Sequence, residues 1–205
     1  PIVSSDPLVY EFFERAKKKQ NFYATHDPKA FSYADVIIVD INLDVTKIKD
    51  NSGNLDSFDV PMTGFKKAIE LIGQECKKDV LILIETTVPP GTCQKVVYPI
   101  IVENLRSRGL ETDKFKLGHS YERVMPGPEY IDSIREFPRV YAGCDNKSAD
   151  AIESFLKTII NTSTPNLEPC SINTSKAGNK ESAPSNENLF CPTNFLCKKL
   201  SKATA

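Results

Sequence analysis

No run of apolar residues in this 205-residue chain approaches the roughly 20 that a bilayer-spanning helix needs. An excess of charge is missing too: 26 Lys and Arg stand against 27 Asp and Glu, a formal net charge of -1. That balance argues against a general nucleic-acid binder and against a polybasic membrane anchor, since both need a cationic surface. Histidine is scarce (His26 and His119), and the six cysteines, at 76, 93, 144, 170, 191 and 197, include no C-x-x-C. Structural zinc wants close cysteine pairs and histidine partners, so no metal is expected and free, partly buried thiols are. The chain opens on Pro1 rather than Met, with no signal-peptide pattern behind it. A processed, engineered or truncated start and a cytoplasmic location are therefore the expectations.

What is present is the periodic apolar pattern of one ordinary domain, concentrated in residues 1–160. A chain this long buries roughly 70% of its unfolded surface and needs no crosslink to hold a core. Asp6 can cap and Pro7 can open a first helix, with Val9, Phe12, Phe13 and Ala16 on one face and Lys17–Lys19 at its end. Phe22–Thr25 reads as a short strand. Val36–Val39 and Val80–Ile84 are continuous apolar runs, the pattern of strands covered on both faces. Residues 44–60 are polar, with a turn at Asn51–Asn54. Met62, Phe65, Ala68, Ile69, Ile72 and Cys76 repeat at helical spacing, as do Val96, Val97, Ile100, Ile101 and Leu105, where Pro99 limits the first turn. Phe115–His119 and Arg139–Ala142 read as strands, and Asn146 or Ser148 caps a last helix through Ile160. This order predicts an α/β fold, a mostly parallel sheet with helices on both faces. In the last 45 residues, 22 are Ser, Thr, Asn or Pro and seven are Leu, Ile, Val or Phe, which predicts linker or disorder over 161–205.

In such sheets ligands sit beyond the C-terminal strand ends. Two segments stand there, Asp40-Ile41-Asn42-Leu43-Asp44 and Glu85-Thr86-Thr87-Val88-Pro89-Pro90-Gly91-Thr92. The second resembles the S/T-T-V-P-x-G-T signature of the UDP-glucose/GDP-mannose dehydrogenase family. Ser120-Tyr121-Glu122-Arg123-Val124-Met125-Pro126-Gly127 resembles its S-P-E-R-x-x-P-G signature, and Arg139-Val140-Tyr141-Ala142-Gly143 and Ala34-Asp35-Val36-Ile37-Ile38-Val39 continue the pattern in order. The resemblance covers residues 1–160, and it implies an incomplete NAD-binding, Rossmann-like domain. Family members oxidise a nucleotide-sugar C6 alcohol to the carboxylate with two NAD, by way of an aldehyde and a cysteine-bound intermediate. Complete members look like homodimers joined through a long central helix. Tyr121 and the Asp40-Ile41-Asn42 run resemble the branch that takes UDP-linked N-acetylhexosamines.

By that resemblance Thr87 is the threonine near the nicotinamide, where a neutral hydroxyl can donate and accept. Glu122 is the glutamate that accepts a proton at the hydrolytic water. Lys180 is a candidate for the oxyanion lysine. Cofactor contacts are expected from Asp40, Ile41, Asn42, Thr86, Thr87 and Glu122. His119 is expected as a hydrogen-bonded structural histidine and not a catalytic one. Several family parts have no match. No G-x-G-x-x-G occurs in the sequence, no cysteine lies in a Gly-rich segment, and Gly178, Pro184 and Pro192 interrupt the region where the central helix would run. Backbone N–H groups of the glycine turn hold the pyrophosphate, so the isolated chain is expected to be inactive. The competing expectation is a non-catalytic, partner-binding or regulatory piece. An unrelated Rossmann-like methyltransferase would leave both motifs unexplained.

Overall fold

The computed structural model describes residues 3–121, 124–137, 139–160, 169–170 and 196–200. Asp6 accepts the Leu8 N–H at 2.8 Å and Pro7 opens α1 (Pro7–Lys18). A 3₁₀ turn at Pro28–Ser32 leads to β1 (Val36–Val39). Next comes an antiparallel hairpin, β2 (Thr46–Lys49) with β3 (Leu55–Asp59). Then follow α2 (Thr63–Glu75), β4 (Leu81–Ile84), a π turn at Cys93–Val97 and α3 (Tyr98–Ser107). Pro99 sits at the join of the π turn and α3, inside one continuous helical run, where the Tyr98 N–H donates to the Cys93 carbonyl. The order continues with β5 (Lys116–Tyr121), α4 (Tyr130–Glu136), β6 (Arg139–Gly143) and α5 (Asn146–Leu156). Short strands β7 (Pro169–Cys170) and β8 (Leu196–Leu200) complete the described elements.

Six strands form one sheet in the order β1-β4-β5-β6-β8-β7. The strands that carry the motif segments are parallel: β1 on β4, and β4 on β5. From β6 onward the pairing is antiparallel. β4 explains why helices lie on both sides. Its four residues are at most 5% exposed, and alternate side chains go to opposite faces. Ile82 and Ile84 join Phe65, Ile69, Ile101 and Leu105 of α2 and α3, while Leu81 and Leu83 meet Ile152 and Leu156 of α5. At Gly118 the α5 face comes so close that an added Cβ would collide with the Ala142 carbonyl and Ile152 Cδ1.

Four local expectations change. Phe22–Thr25 forms no strand; these residues are exposed and pair with nothing in the sheet, so their peptide groups have no ladder to join. Residues 44–60 fold into the β2–β3 hairpin, because Asp50 closes the turn by accepting the Ser52 and Asn54 N–H groups. The cap of α5 is Asp145, whose Oδ1 accepts the Ser148 N–H at 2.6 Å; Ser148 uses its own hydroxyl to accept the Leu117 N–H of β5. α4, where no helix is expected, follows the stretch Pro126-Gly127-Pro128. Within 161–205, the described residues are the strands β7 and β8, with β8 antiparallel on β6; the rest of the expected linker lies outside the described residues.

Asp6 does a second task that its local sequence does not announce. Its residue is fully buried, and its other oxygen accepts the Ile131 N–H at the start of α4, at 2.8 Å. One carboxylate thus caps two helices. Each such cap is worth about 0.5–2 kcal/mol, so Asp6→Ala should lower unfolding stability by about 2 kcal/mol in urea titrations. Asp6→Asn keeps one accepting oxygen and should lose about half of that.

Candidate functional site at the C-terminal strand ends

The ladder between β1 and β4 ends at Val39↔Ile84, and that between β4 and β5 runs to Ile84↔His119. Beyond these pairs the chain must leave the sheet, and its peptide groups lose their ladder partners. The buried Thr86 replaces them. Its hydroxyl accepts the Ile41 N–H at 2.7 Å and donates to the Val39 carbonyl at 3.2 Å. The same carbonyl also accepts the N–H groups of Glu85 (2.9 Å) and Thr86 (3.1 Å). One side chain therefore joins the two segments singled out from the sequence.

His119 adds the third strand. Its half-buried ring donates a hydrogen bond to the Thr86 carbonyl, and burial holds the imidazole below the ordinary histidine pKa while that hydrogen bond works the other way. The hydrogen bond expected for it is present. Past Thr86, Thr87 is exposed, and the next turn is locked by Thr92, whose hydroxyl and N–H both donate to the Pro89 carbonyl (2.7 and 3.1 Å). Gly91 takes φ +84°, the left-handed region that this turn requires.

The expected cofactor residues are thus partly assembled. Ile41 packs against the core and gives its N–H to Thr86. Asp40 is exposed, and Asn42 spends its amide on the Asp44 carboxylate at 3.0 Å. Thr87, three residues past the end of β4, is exposed and carries a neutral hydroxyl. Glu122 and Lys180 lie outside the described residues. Among the described residues no group of three or more His, Cys, Asp or Glu could hold a metal ion, and no helix is long and apolar enough to cross a membrane. Cys76, Cys93 and Cys144 are free thiols. Burial pushes Cys93 and Cys144 up to about 12 and raises Cys76 as well, so these three are thiols at neutral pH and poor nucleophiles.

Sequence reasoning passed over the partners of Glu85. Its carboxylate lies 3.5 Å from the Arg139 guanidinium of β6, with the two side chains 15% and 6% exposed. Glu85 stood inside a recognised motif, but nothing in a linear sequence pairs it with a residue 54 positions away.

Two outcomes follow. Thr86→Val keeps the shape but leaves the Ile41 N–H without its acceptor, at a cost of about 1–3 kcal/mol; amide exchange at Ile41 should accelerate strongly, read by NMR. Because the folded state resists protonating His119 and the unfolded state does not, stability should be full above the ordinary histidine value of 6.5 and decline as pH falls below it. Urea titrations at pH 7.5 and 5.5 should show that decline, and His119→Gln should flatten it.

The comparisons with known proteins accord with this geometry. The model of the UDP-glucose/GDP-mannose dehydrogenase family, NAD binding domain, matches residues 3–161. The UDP-N-acetyl-D-mannosamine dehydrogenase of Pyrococcus horikoshii is 28% identical over 106 residues, 52% of this chain and 24% of that protein. The enzyme of the same name from Methanocaldococcus jannaschii is 31% identical over 99 residues, 48% of this chain and 21% of that protein. In three dimensions, the NDP-N-acetyl-D-galactosaminuronic acid dehydrogenase of Methanosarcina mazei Go1 superposes with a TM-score of 0.63 at 24% identity, covering 78% of this chain and 32% of that one. The chain spans about a quarter of the length of these curated relatives. With a family match across most of the sequence and both motif segments at the ends of parallel strands, the chain belongs to the UDP-glucose/GDP-mannose dehydrogenase family, through its NAD binding domain.

Proposed function

We propose that this chain supplies the nicotinamide-facing part of an NAD-dependent oxidoreductase that takes the C6 alcohol of a nucleotide sugar to the carboxylate. A UDP-linked N-acetylhexosamine is the favoured substrate class. The observation that carries the reading is the Thr86 tie, which holds the Thr87 turn and the Asp40–Asn42 segment together at the carboxyl edge of the parallel strands. That edge is where open α/β sheets take their ligands. Support for the sugar class comes from the names of the two archaeal relatives, both UDP-N-acetyl-D-mannosamine dehydrogenases.

The described residues fit one end of the cofactor and not the other. An exposed neutral hydroxyl beside a rigid strand end suits an uncharged ring and a reacting oxygen. No glycine-rich turn able to hold a pyrophosphate occurs in this sequence. NAD, when bound, supplies the hydride acceptor. Thr87 orients a water or the reacting oxygen by donating and accepting at its hydroxyl. Glu122 takes the proton from that water, as a carboxylate can. His119, kept neutral by burial, adds no positive charge behind Thr86. Hydride transfer needs both reactants at near-contact geometry, and with the phosphate anchor and the Gly-rich cysteine segment both absent from the 205 residues, this chain does not turn over by itself.

An NMR titration with NAD, paired with NADH absorbance in the presence of UDP- and GDP-sugars, tests both parts. The amides of Ile41, Thr86 and Thr87 should shift with weak, roughly millimolar affinity, the regime of about -4 kcal/mol, and no NADH should form. Thr87→Val should weaken the shift severalfold. Unmoved amides at saturating NAD would overturn the crevice; steady NADH production would overturn the inactivity of the isolated chain.

A further inference from the structure

We propose that Glu85 and Arg139 are positioning residues: their ion pair, with Arg139 buried and Glu85 half-buried, straps the end of β5 between β4 and β6 and fixes the turn that carries Thr86 and Thr87. The register places them. Glu85 stands one residue past Ile84, the last partner of β5 in the β4–β5 ladder, and Arg139 stands one residue before Val140, the partner of Tyr121. β5 lies between those two strands, so a contact from Glu85 to Arg139 must cross it. Arg139 shares a face with Tyr141 and Gly143, the face under α5. Ser120, the partner of Tyr141, is on that face too, fully buried, and its hydroxyl has no hydrogen-bond partner among the described residues. The strip of β5 beneath the pair is therefore polar.

Stability alone does not account for such a pair. Removing two charges from water roughly cancels their attraction, and apolar replacements of similar size are often as stable or more so. What the pair can do is fix geometry. Glu85 is held at both ends, by its N–H on the Val39 carbonyl (2.9 Å) and by its carboxylate near Arg139 (3.5 Å). The next residue is Thr86, whose hydroxyl holds Ile41. A charge on β6 thus reaches the end of β1 through two consecutive residues of the β4 exit. The catalytic purpose of this arrangement rests on the dehydrogenase reading; the arrangement itself does not.

Amide exchange on the 205-residue chain tests it without any cofactor, with Ile41 as reporter and Ile82, at the centre of β4, as the core reference. Glu85→Gln and Arg139→Gln should each lower protection at Ile41 by tenfold or more relative to Ile82. Arg139→Lys keeps the charge and should stay within threefold of the native value. The double variant E85M/R139M removes both charges together; it should melt within a few degrees of the native chain and still lose protection at Ile41. If the single variants do not fold, this double variant decides. Ile41 tracking Ile82 in every variant, or native protection at Ile41 in the double variant, would overturn the proposal. A failed NAD titration would leave this result untouched, and loss of the strap would leave the NAD reading untouched.

Discussion

Parallel strands leave peptide groups without ladder partners at their carboxyl ends, and in this chain the hydroxyl of Thr86 takes up those of β1. The constraint behind this is the cost of a buried, unsatisfied N–H or carbonyl. Serine could make the same two bonds, but a residue without a hydroxyl could make neither. Once Ile41 and Val39 are tied to Thr86, and Thr86 to His119, the ends of β1, β4 and β5 behave as one edge. Everything argued about Thr87 and the Asp40–Asn42 segment depends on that edge being fixed before any ligand arrives.

The layered core was legible in the sequence because its causes are local. Four consecutive apolar residues in β4 announce a strand covered on both faces, and the structure covers them with α2 and α3 on one side and α5 on the other. Motif spacing likewise put Thr86 and Thr87 at a strand end. What could not be read were relations between distant positions: Glu85 with Arg139, and Asp6 with Ile131. Phe22–Thr25 shows the reverse error. Its residue types favour a strand, but a strand exists only where a neighbour offers a ladder. The hairpin β2–β3 was missed because its strands carry Lys, Asp and Ser at most positions and owe their shape to the Asp50 turn.

Charge is distributed differently on the two faces of the sheet. On the α2–α3 side the core is apolar and contains the buried thiols Cys76 and Cys93. On the α5 side, near the carboxyl edge, Ser120 and Arg139 are buried beside the half-buried Glu85, and Tyr141 donates to the Glu153 carboxylate at 2.7 Å. Low dielectric strengthens such contacts and also makes each of them costly to break. The polar face is thus the less forgiving of the two, even though it has the smaller apolar cluster.

The double cap at Asp6 bears on how the chain reaches this shape. One of its two acceptor bonds reaches Ile131, 125 positions away, and α1 buries none of its residues fully. A helix with so little hydrophobic anchorage can form its first turn early but gains its long-range tie only when α4 presents the Ile131 N–H. The N-terminal helix is therefore among the last pieces to lock during assembly, and it is the natural place for partial opening to begin.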